Sequence, residues 1–459
     1  MHMENDLGRD KISRLVFRIA LPSMLAQFVS VLYSIVDRMY IGNIPEVGDI
    51  ALAGVGVCGP VVTLISSFAF LIGIGGSPLM SIKMGEQKLE DARGILANSF
   101  LMLTLLSGLL MTAALFGRKQ LLMWFGASTV TFPYANDYFT IYLMGTVFAL
   151  LSVGMNQFII CQGFARAGMF SVVIGAVLNI LLDPLFIFAL DMGVRGAALA
   201  TVLSQVASCI YVLCFLFGKY VPVRITFGGY SGAVMRRILS IGFTPFIIIA
   251  IDNVMIIVMN ALLQHYGGEG GDRLLTCAAI LQSFMLVVTM PLGGITGGTQ
   301  TILGYNYGAG RPDRVRLAQR YIALMGLIFT AVMFLAAFTI PQYFVRIFTQ
   351  NEELTALTVW AIRVSTVGII PLAVQYTIVD GFTAIGAVRL SLPLSFFRKL
   401  VYFTSVFLLP AVGGTLSIFY AEAISDFCGT AMSVAVYCLV IRKVLKPRES
   451  SAETITEKE

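Results

Sequence analysis

The chain has 459 residues, of which 58% are hydrophobic and 12% are charged, and its mean hydropathy is +0.86. Soluble globular domains are about half apolar and a quarter charged, so this composition excludes a soluble enzyme and predicts a membrane protein. The formal net charge of +6 is modest for this length and gives no support to a nucleic-acid-binding role.

Twelve continuous apolar runs follow one another, each long enough to cross a bilayer as a helix of about 20 residues. Continuous rather than alternating hydrophobicity argues against a membrane β-barrel and predicts an all-α polytopic membrane protein. The first six runs are Leu15–Tyr40, Leu52–Ile82, Ile95–Phe116, Tyr134–Phe158, Met169–Leu190 and Ala197–Phe217. The second six are Ile238–Leu263, Leu274–Leu303, Tyr321–Ile340, Leu357–Val379, Leu390–Val412 and Leu416–Ile441.

The longest polar connection between runs, Gly218–Arg237, divides them into two sets of six. We therefore predict an N-terminal six-helix lobe, a cytoplasmic inter-lobe loop, a C-terminal six-helix lobe and a disordered cytoplasmic tail. These segments are 1–217, 218–237, 238–446 and 447–459, respectively.

Lys and Arg are concentrated in the two termini and in alternate loops, a bias that marks the cytoplasmic side of a membrane protein. The bias predicts a multi-pass protein of the plasma membrane with both termini in the cytoplasm. The opposite loops hold few basic residues, namely Arg118, Lys119, Arg195, Arg273 and Arg346.

Three pairs of similar segments recur at offsets of 223, 218 and 221 residues. Matching loops fall on the same membrane side, which predicts a parallel internal repeat, a layout suited to alternating access through a central cleft. The alternative is chance similarity among apolar helices. The pairs are Gly85–Arg93 with Gly308–Arg316, Gln162–Gly168 with Asp380–Gly386, and Gly196–Gln205 with Ser417–Asp426.

Asp183 lies inside an apolar run, where a charge costs about 2.5–3.5 kcal/mol on insertion scales. Asn179 is one helical turn earlier on the same face, and Pro184 has no N–H and so frees the carbonyl of Ile180. These oxygens suit a small cation, and a desolvated carboxyl group could instead carry a proton. The alternative is that Asp183 only forms hydrogen bonds at a kink.

Two other acids each follow a tyrosine by four residues. Asp37 ends the segment that begins at Tyr33, and Asp380 ends the similar segment that begins at Tyr376. A tyrosine one turn away can donate a hydrogen bond to the acid. Pro22 lies in the same run as Asp37 and predicts a hinge or kink.

Other charged residues in the runs are equally compatible with hydrogen bonding between helices. The acidic members of this group are Asp252, Glu422 and Asp426. Four charged residues could lie near a headgroup region, which long side chains can reach by snorkelling. They are Asp37, Arg38, Arg398 and Lys399.

Motifs of enzymes are missing from the sequence: it has no P-loop, HExxH or GxSxG. The seven cysteines lie in apolar stretches without a CxxC pair, so disulfides and zinc sites are not expected. We therefore predict that the protein is not an enzyme and has no cofactor.

Three segments resemble the multidrug and toxic compound extrusion (MATE) family of secondary transporters, nearest its bacterial MepA-like and DinF-like branch. The resemblance covers nearly all of the apolar runs, and it depends on the order and placement of the segments. They are RIALPSMLAQFVSVLYSIVDRMYIG in the first run, NILLDPLF in the fifth and RGAALATVLSQ in the sixth.

This resemblance implies two bundles around a V-shaped central cleft. It also implies antiport that exports organic cations, drugs or amphipathic toxic compounds in exchange for protons or sodium ions. A cation or proton site in the first lobe, with sodium as the possible metal, matches Asp37, Asn179, Asp183 and Thr201. Residues that match the surroundings of that site are Tyr33, Tyr138, Asn156 and the hinge proline Pro22.

Another branch of the family has its cation site in the second lobe, with a Glu in the seventh span and a Tyr–Asp pair in the tenth. Tyr376 and Asp380 match the pair, whereas the Glu is not matched and the nearby residues are Asp252 and Asn253. Glu422 and Asp426 complete our second-lobe candidates.

Two transport functions fit the sequence. The first is export of a small organic cation or amphipathic substrate by a monomer in the lipid bilayer, with sodium or a proton as coupling ion. The alternative is a flippase for a lipid-linked or amphiphilic substrate of the wider superfamily. A flippase would be expected to have a cationic cleft for phosphates, and the mostly acidic candidate charges favour the exporter.

Overall fold

The computed structural model describes residues 6–219 and 221–445, and the predicted tail 447–459 lies outside them. Within the described residues, all regular structure is helical. The first half contains α1 (Ile12–Gly42), α2 (Gly48–Gly85), α3 (Leu89–Trp124), α4 (Phe132–Met144), α5 (Thr146–Ile160), α6 (Ala165–Pro184) and α7 (Gly193–Phe217). The second contains α8 (Gly232–Gly267), α9 (Gly271–Gly308), α10 (Pro312–Thr339), α11 (Pro341–Val345), α12 (Glu352–Ser365), α13 (Ile369–Ala384), α14 (Val388–Gly413) and α15 (Ala421–Val444).

The described helices provide eleven segments long and apolar enough to cross a membrane, or twelve when a bent pair is counted as one span. That pair is α4 and α5, which meet at Gly145 with a bend of 57°. A Cβ on Gly145 would lie 2.6 Å from Cγ2 of Val202, so the bend packs directly against α7. The predicted all-α fold with about twelve transmembrane helices is confirmed.

Several helices are longer than their apolar runs. The third run, predicted as Ile95–Phe116, lies inside α3, which has 36 residues and is therefore about 54 Å long. A bilayer core is about 30 Å thick, so both ends of α3 extend beyond it. Hydropathy detects only the part of a helix in hydrocarbon, whereas helix-forming residues such as Glu90 and Arg118 continue the helix in water.

Two spans are interrupted beside intramembrane acids. After Pro184 the chain continues as a π-helix over Leu185–Ala189, and the Leu190 N–H donates to the Leu185 carbonyl at 2.9 Å. A proline has no N–H to donate, so a change of hydrogen-bond register is expected there. In the second half, a 3₁₀ segment over Thr366–Gly368 separates α12 from α13.

The two halves pack on one another through α1 and α2 of the first half and α8 and α9 of the second. Glycines allow the closest approaches: a Cβ on Gly242 would lie 1.7 Å from the Leu71 carbonyl oxygen, and one on Gly308 would lie 2.1 Å from that of Ile82. Any larger side chain would overlap the facing backbone. The halves are therefore in contact at the end where α2 and α9 finish, which the basic residues predict to be cytoplasmic.

The predicted topology can be tested with single cysteines in a background without the seven native ones. Phe227→Cys, in the exposed connection before α8, should react with an impermeant thiol reagent only after cells are opened. Thr129→Cys, between α3 and α4, should react in intact cells. Labelling in the opposite pattern would show that the orientation is reversed.

Candidate functional site

Four helices bring the predicted first-lobe residues together. Asp183, fully buried, and Asn179, 1% exposed, lie one turn apart at the end of α6, which packs against both α1 and α7. The Asn179 side-chain amide donates to Oδ1 of Asp183 and to the hydroxyl of Thr201 on α7, both at 3.3 Å. The sequence-based expectation that Asn179 and Asp183 share one helix face is confirmed.

Asp37 on α1 completes this arrangement. Its carboxyl group lies within hydrogen-bonding reach of the Asp183 carboxyl group. The hydroxyl of Tyr138 on α4 lies within hydrogen-bonding reach of the Thr201 hydroxyl. We call these five residues, Asp37, Tyr138, Asn179, Asp183 and Thr201, the first-half cluster.

Three side-chain oxygen atoms of this cluster have no hydrogen-bond donor in the described chain. Oδ1 of Asp37, Oδ2 of Asp183 and Oδ1 of Asn179 are buried and have no hydrogen-bond partner among the described residues. No lysine or arginine of the described chain lies within ion-pair distance of Asp37 or Asp183. The exposed Arg38, next to Asp37 in the chain, is within Coulombic range of it but forms no ion pair with it. Buried oxygens without partners are costly, so this cluster favours a bound positive charge.

The chemistry of the oxygens limits the kind of ion. Within the described residues, no group of three or more His, Cys, Asp or Glu side chains could hold a metal. Two carboxyl groups with one amide and one hydroxyl oxygen instead suit a monovalent cation, or a proton shared between the acids. The residues present therefore fit sodium or a proton better than a tightly held divalent metal.

Tyrosines surround the cluster. Tyr33 lies one turn before Asp37 and within Coulombic range of both acids, in agreement with its predicted supporting position. Tyr142, which the sequence analysis did not single out, stacks on Tyr138 with ring centroids 6.3 Å apart. Its hydroxyl lies within hydrogen-bonding reach of Ser66 and Gln205. The spacing of four residues from Tyr138 was the feature of the sequence that could have identified it.

Asn156 does not join this cluster, which corrects the prediction from the family resemblance. Its Oδ1 would lie 3.2 Å from a Cβ on Gly168, near the start of α6. Gly168 precedes Asp183 by fifteen residues, or about 22 Å along a helix. The short turn between α5 and α6 makes these helices antiparallel. Asn156, near the end of α5, therefore lies beside the start of α6, whereas Asp183 lies at the end of α6.

Pro22 is buried inside α1, about 22 Å along the helix from Asp37. The adjacent Ser23 packs against α9, where a Cβ on Gly298 would lie 2.3 Å from its hydroxyl oxygen. The predicted hinge position therefore lies where the two halves meet, and α1 connects it directly to the first-half cluster.

The second half contains ion pairs where the sequence suggested isolated acids. Arg398 on α14 lies 2.7 Å from Oδ1 of Asp426 and 3.6 Å from Oε1 of Glu422, both on α15. Arg398 is 9% exposed and Asp426 is fully buried. The expectation that Arg398 snorkels to a headgroup is therefore wrong, because acidic partners on the neighbouring helix hold it inside the protein.

The neighbouring basic residue behaves in the same way. Lys399 forms an ion pair with Asp252 on α8, so it too is paired inside the bundle rather than extended to a headgroup. Asn253 turns away and donates to the Ile249 carbonyl of its own helix at 2.9 Å. Of the two residues near the position of the missing Glu, Asp252 is therefore paired with a lysine and Asn253 is bonded to its own helix.

Asp380 and Tyr376 on α13 complete the second-half set. Asp380 lies within hydrogen-bonding reach of Thr296 and Gln300 of α9. Tyr376 lies within Coulombic range of Asp380 and of the ion-paired groups. Three of the second-half candidate acids, Asp252, Glu422 and Asp426, thus form ion pairs, whereas neither acid of the first-half cluster does so among the described residues.

The MatE family model matches residues 22–185 and 246–408, one segment in each half. The multidrug export protein MepA of Staphylococcus aureus (strain MRSA252) is 22% identical over 436 residues, which cover 94% of this chain and 95% of that protein. A solved outward-facing conformation of a multidrug resistance MATE family transporter of the MOP superfamily has a TM-score of 0.89 at 22% identity and covers 95% of this chain and 98% of its own.

A second solved structure is a MOP superfamily transporter from Pyrococcus furiosus Vc1 (DSM3638), whose binding pocket is described as having reverse polarity. It has a TM-score of 0.89 at 22% identity and covers 96% of this chain and 98% of its own. Together with the match of the family model to both halves, these similarities show that the chain belongs to the MatE family of multidrug and toxic compound extrusion transporters.

Proposed function

We propose that this protein is a secondary active antiporter that exports small organic cations or amphipathic compounds in exchange for protons or sodium ions. The observation that carries this proposal is the approach of the Asp37 and Asp183 carboxyl groups in a cluster where neither forms an ion pair with a basic residue of the described chain. Two such acids favour uptake of a positive charge, which is the property that a coupling site requires.

The route from ion binding to transport follows α1. This helix carries Asp37 near one end and, beyond Pro22, the contacts with α9 that join the halves. A cation or proton bound at Asp37 and Asp183 neutralises their negative charge and reduces the repulsion between them. This change alters the packing of α1 against α6. Bending at Pro22 would transmit that change to the contact between halves, and the effects of ion and substrate on each other's affinity must be reciprocal.

The charges that remain accessible support a cationic substrate. Of the second-half ion pairs, the Asp252 and Glu422 side chains are 43% and 30% exposed, whereas those of Lys399 and Arg398 are 13% and 11% exposed. Acidic groups are therefore more accessible than the basic groups that neutralise them. The similarity to a protein named as a multidrug exporter supports the same substrate class.

The alternative, a flippase for a lipid-linked or amphiphilic substrate, would use basic residues to bind phosphate. Arg398 and Lys399 are the basic residues inside the second half that could do so, but three acids already pair with them. We also propose that the protein acts as a monomer in the plasma membrane with both termini in the cytoplasm.

The proposal can be tested with purified protein in liposomes. Efflux or uptake of an ethidium-like cationic dye should follow an imposed sodium gradient, proton gradient or both, and should cease when the gradient is collapsed with an ionophore. The gradient that drives flux identifies the coupling ion. Flipping of a lipid-linked anion without gradient-dependent flux of any cation in a broad panel would show that the exporter proposal is wrong.

A further inference from the structure

A cavity of about 500 Å³ lies between the two halves at the end where they are in contact. Its walls come from the end of α2, the start of α8, the end of α9, the α13–α14 connection and the end of α15. All of these positions lie on the face predicted to be cytoplasmic. The volume is within the range of small-molecule sites in proteins.

Positive charge lines this cavity. Arg237 and Arg389 are exposed, and neither has an ion-pair partner in the described part of the chain. Lys83 also lines the wall, together with the acid Glu86. The Glu86 carboxylate is already neutralised by Lys83 at 2.8 Å and Lys88 at 3.3 Å.

Glu86 is outside the membrane-spanning part of α2, and its ionisation agrees with this pairing. Burial acts to raise the pKa of Glu86, but hydrogen bonds from Lys83 and Lys88 outweigh it and hold the pKa below its ordinary value. Glu86 is therefore charged and engaged, which leaves the two arginines as the uncompensated groups.

The deeper wall is apolar. Leu79, Ile82, Ile241 and Ile385 line it, and each is 4–8% exposed. A small hydrophilic anion would leave this apolar surface uncovered. An amphiphile with an anionic phosphate head and hydrocarbon chains would satisfy both parts, since guanidinium groups bind phosphate with two parallel hydrogen bonds.

We propose that this cavity binds the phosphate headgroup of an anionic phospholipid from the cytoplasmic leaflet, with Arg237 and Arg389 as its ligands. Basic pockets between transmembrane helices on the cytoplasmic side bind such headgroups in general. Because α2 belongs to one half and α8 and α14 to the other, a bound lipid joins the halves. It thereby stabilises the conformation in which they are in contact at this face.

The experiment measures lipid binding to the purified full-length protein by native mass spectrometry. The probes are phosphatidylglycerol, phosphatidylcholine with the same chains, and inorganic phosphate. The test variant is Arg237→Gln/Arg389→Gln. The matched control is Arg236→Gln/Arg442→Gln, which removes two exposed arginines from the same face without touching the cavity wall.

Wild type and control should prefer phosphatidylglycerol, and the test variant should bind it about 30-fold more weakly, since each basic residue near a membrane surface contributes roughly fivefold. Unchanged affinity in the test variant, or equal binding of phosphatidylcholine by wild type, would overturn the proposal. Equally tight binding of inorganic phosphate would show a free-anion site instead of a lipid site.

The chain's own C-terminal segment is the remaining competitor, because Val444 on the cavity wall lies just before residues 446–459, which include four Glu residues. Deletion of 446–459 should leave the phosphatidylglycerol affinity unchanged. An increase of tenfold or more on deletion would identify the tail as the occupant and overturn the lipid proposal. None of these outcomes depends on the coupling ion or on transport.

Discussion

Asp183→Asn is expected to abolish gradient-driven export while leaving the protein folded and in the membrane. The amide has the shape of the carboxyl group, so packing at the end of α6 is retained. The amide carries no negative charge and takes up no proton. Asp37 then has no second carboxylate beside it, so binding of a cation or proton at this site is no longer favoured. Because the substitution removes a buried carboxyl group whose Oδ2 has no hydrogen-bond partner among the described residues, thermal stability should equal or exceed that of wild type.

The quantity to measure is the effect of the coupling ion on substrate affinity. With a coupling free energy of about 2–3 kcal/mol, the ion changes wild-type affinity some 30- to 150-fold, and Asp183→Asn should reduce this change to near one. Dye binding at two ion concentrations or two pH values gives the ratio directly. Substrate binding itself should persist, which separates loss of coupling from loss of the substrate site.

Two matched variants make the result specific. Asp137→Asn removes an acid of the same half that pairs with Arg195 near the membrane surface, and it should leave coupling intact. Asp380→Asn removes a second-half acid that lies within hydrogen-bonding reach of Thr296 and Gln300 and, within the described residues, has no second acid beside it like the Asp37–Asp183 pair, so its effect should be milder. If Asp380→Asn abolished coupling and Asp183→Asn did not, the second half would contain the coupling site.

The sequence predicted the number and type of spans because hydropathy reports directly on helices in a bilayer. It also predicted that Asn179 and Asp183 share a face, since four residues are close to one helical turn. That Asp37 and Thr201 join them came from the family resemblance, because contacts between α1, α6 and α7 depend on helix packing. No periodicity within one helix encodes such contacts.

The partners of the second-half acids were missed for a related reason. When one span is considered alone, a charged residue in it is interpreted either as destabilising or as functional. The free-energy cost of burying that charge changes, however, when a neighbouring span carries the opposite charge. Arg398 and Lys399 precede a run that contains Glu422 and Asp426 at a spacing of four, and this combination of signs was the available signal.

Breaks in the helices were only partly visible. Pro184 predicted the change of helix type at the end of α6, because a proline has no backbone N–H to donate. The bend at Gly145 had no such signal, since many glycines of this chain lie in uninterrupted helices. The contact with Val202, which is distant in sequence, accounts for the glycine there.

Arg398→Met is expected to be the most destabilising substitution in the second half. It leaves the fully buried Asp426 without its basic partner, and Oδ2 of Asp426 already has no hydrogen-bond partner among the described residues. Removal of one member of a buried ion pair costs about 3–5 kcal/mol. Thermal unfolding of the purified protein in detergent should show a decrease in Tm of about 3–5 °C.

The adjacent lysine supplies the control. Lys399→Met breaks the pair with Asp252, whose side chain is 43% exposed and is rehydrated when the lysine is lost. Its cost should stay below about 1 kcal/mol, as for exposed ion pairs. A larger loss of stability in Lys399→Met than in Arg398→Met would contradict the assignment of Arg398 and Asp426 as the buried structural pair.

The double variant Arg398→Met/Asp426→Asn distinguishes a lost ion pair from lost packing. If the cost of Arg398→Met is the unpaired charge of Asp426, neutralising that acid should restore most of the Tm, because a buried pair can be replaced by neutral groups at little cost. Arg398 also packs its stem against α15, where a Cβ on Gly429 would lie 2.9 Å from its Cβ, and Met retains that apolar stem. A double variant as unstable as the single one would therefore assign the effect to geometry between α14 and α15 instead of to charge.

Restored stability together with lost dye transport would place Arg398 in the substrate pathway as well.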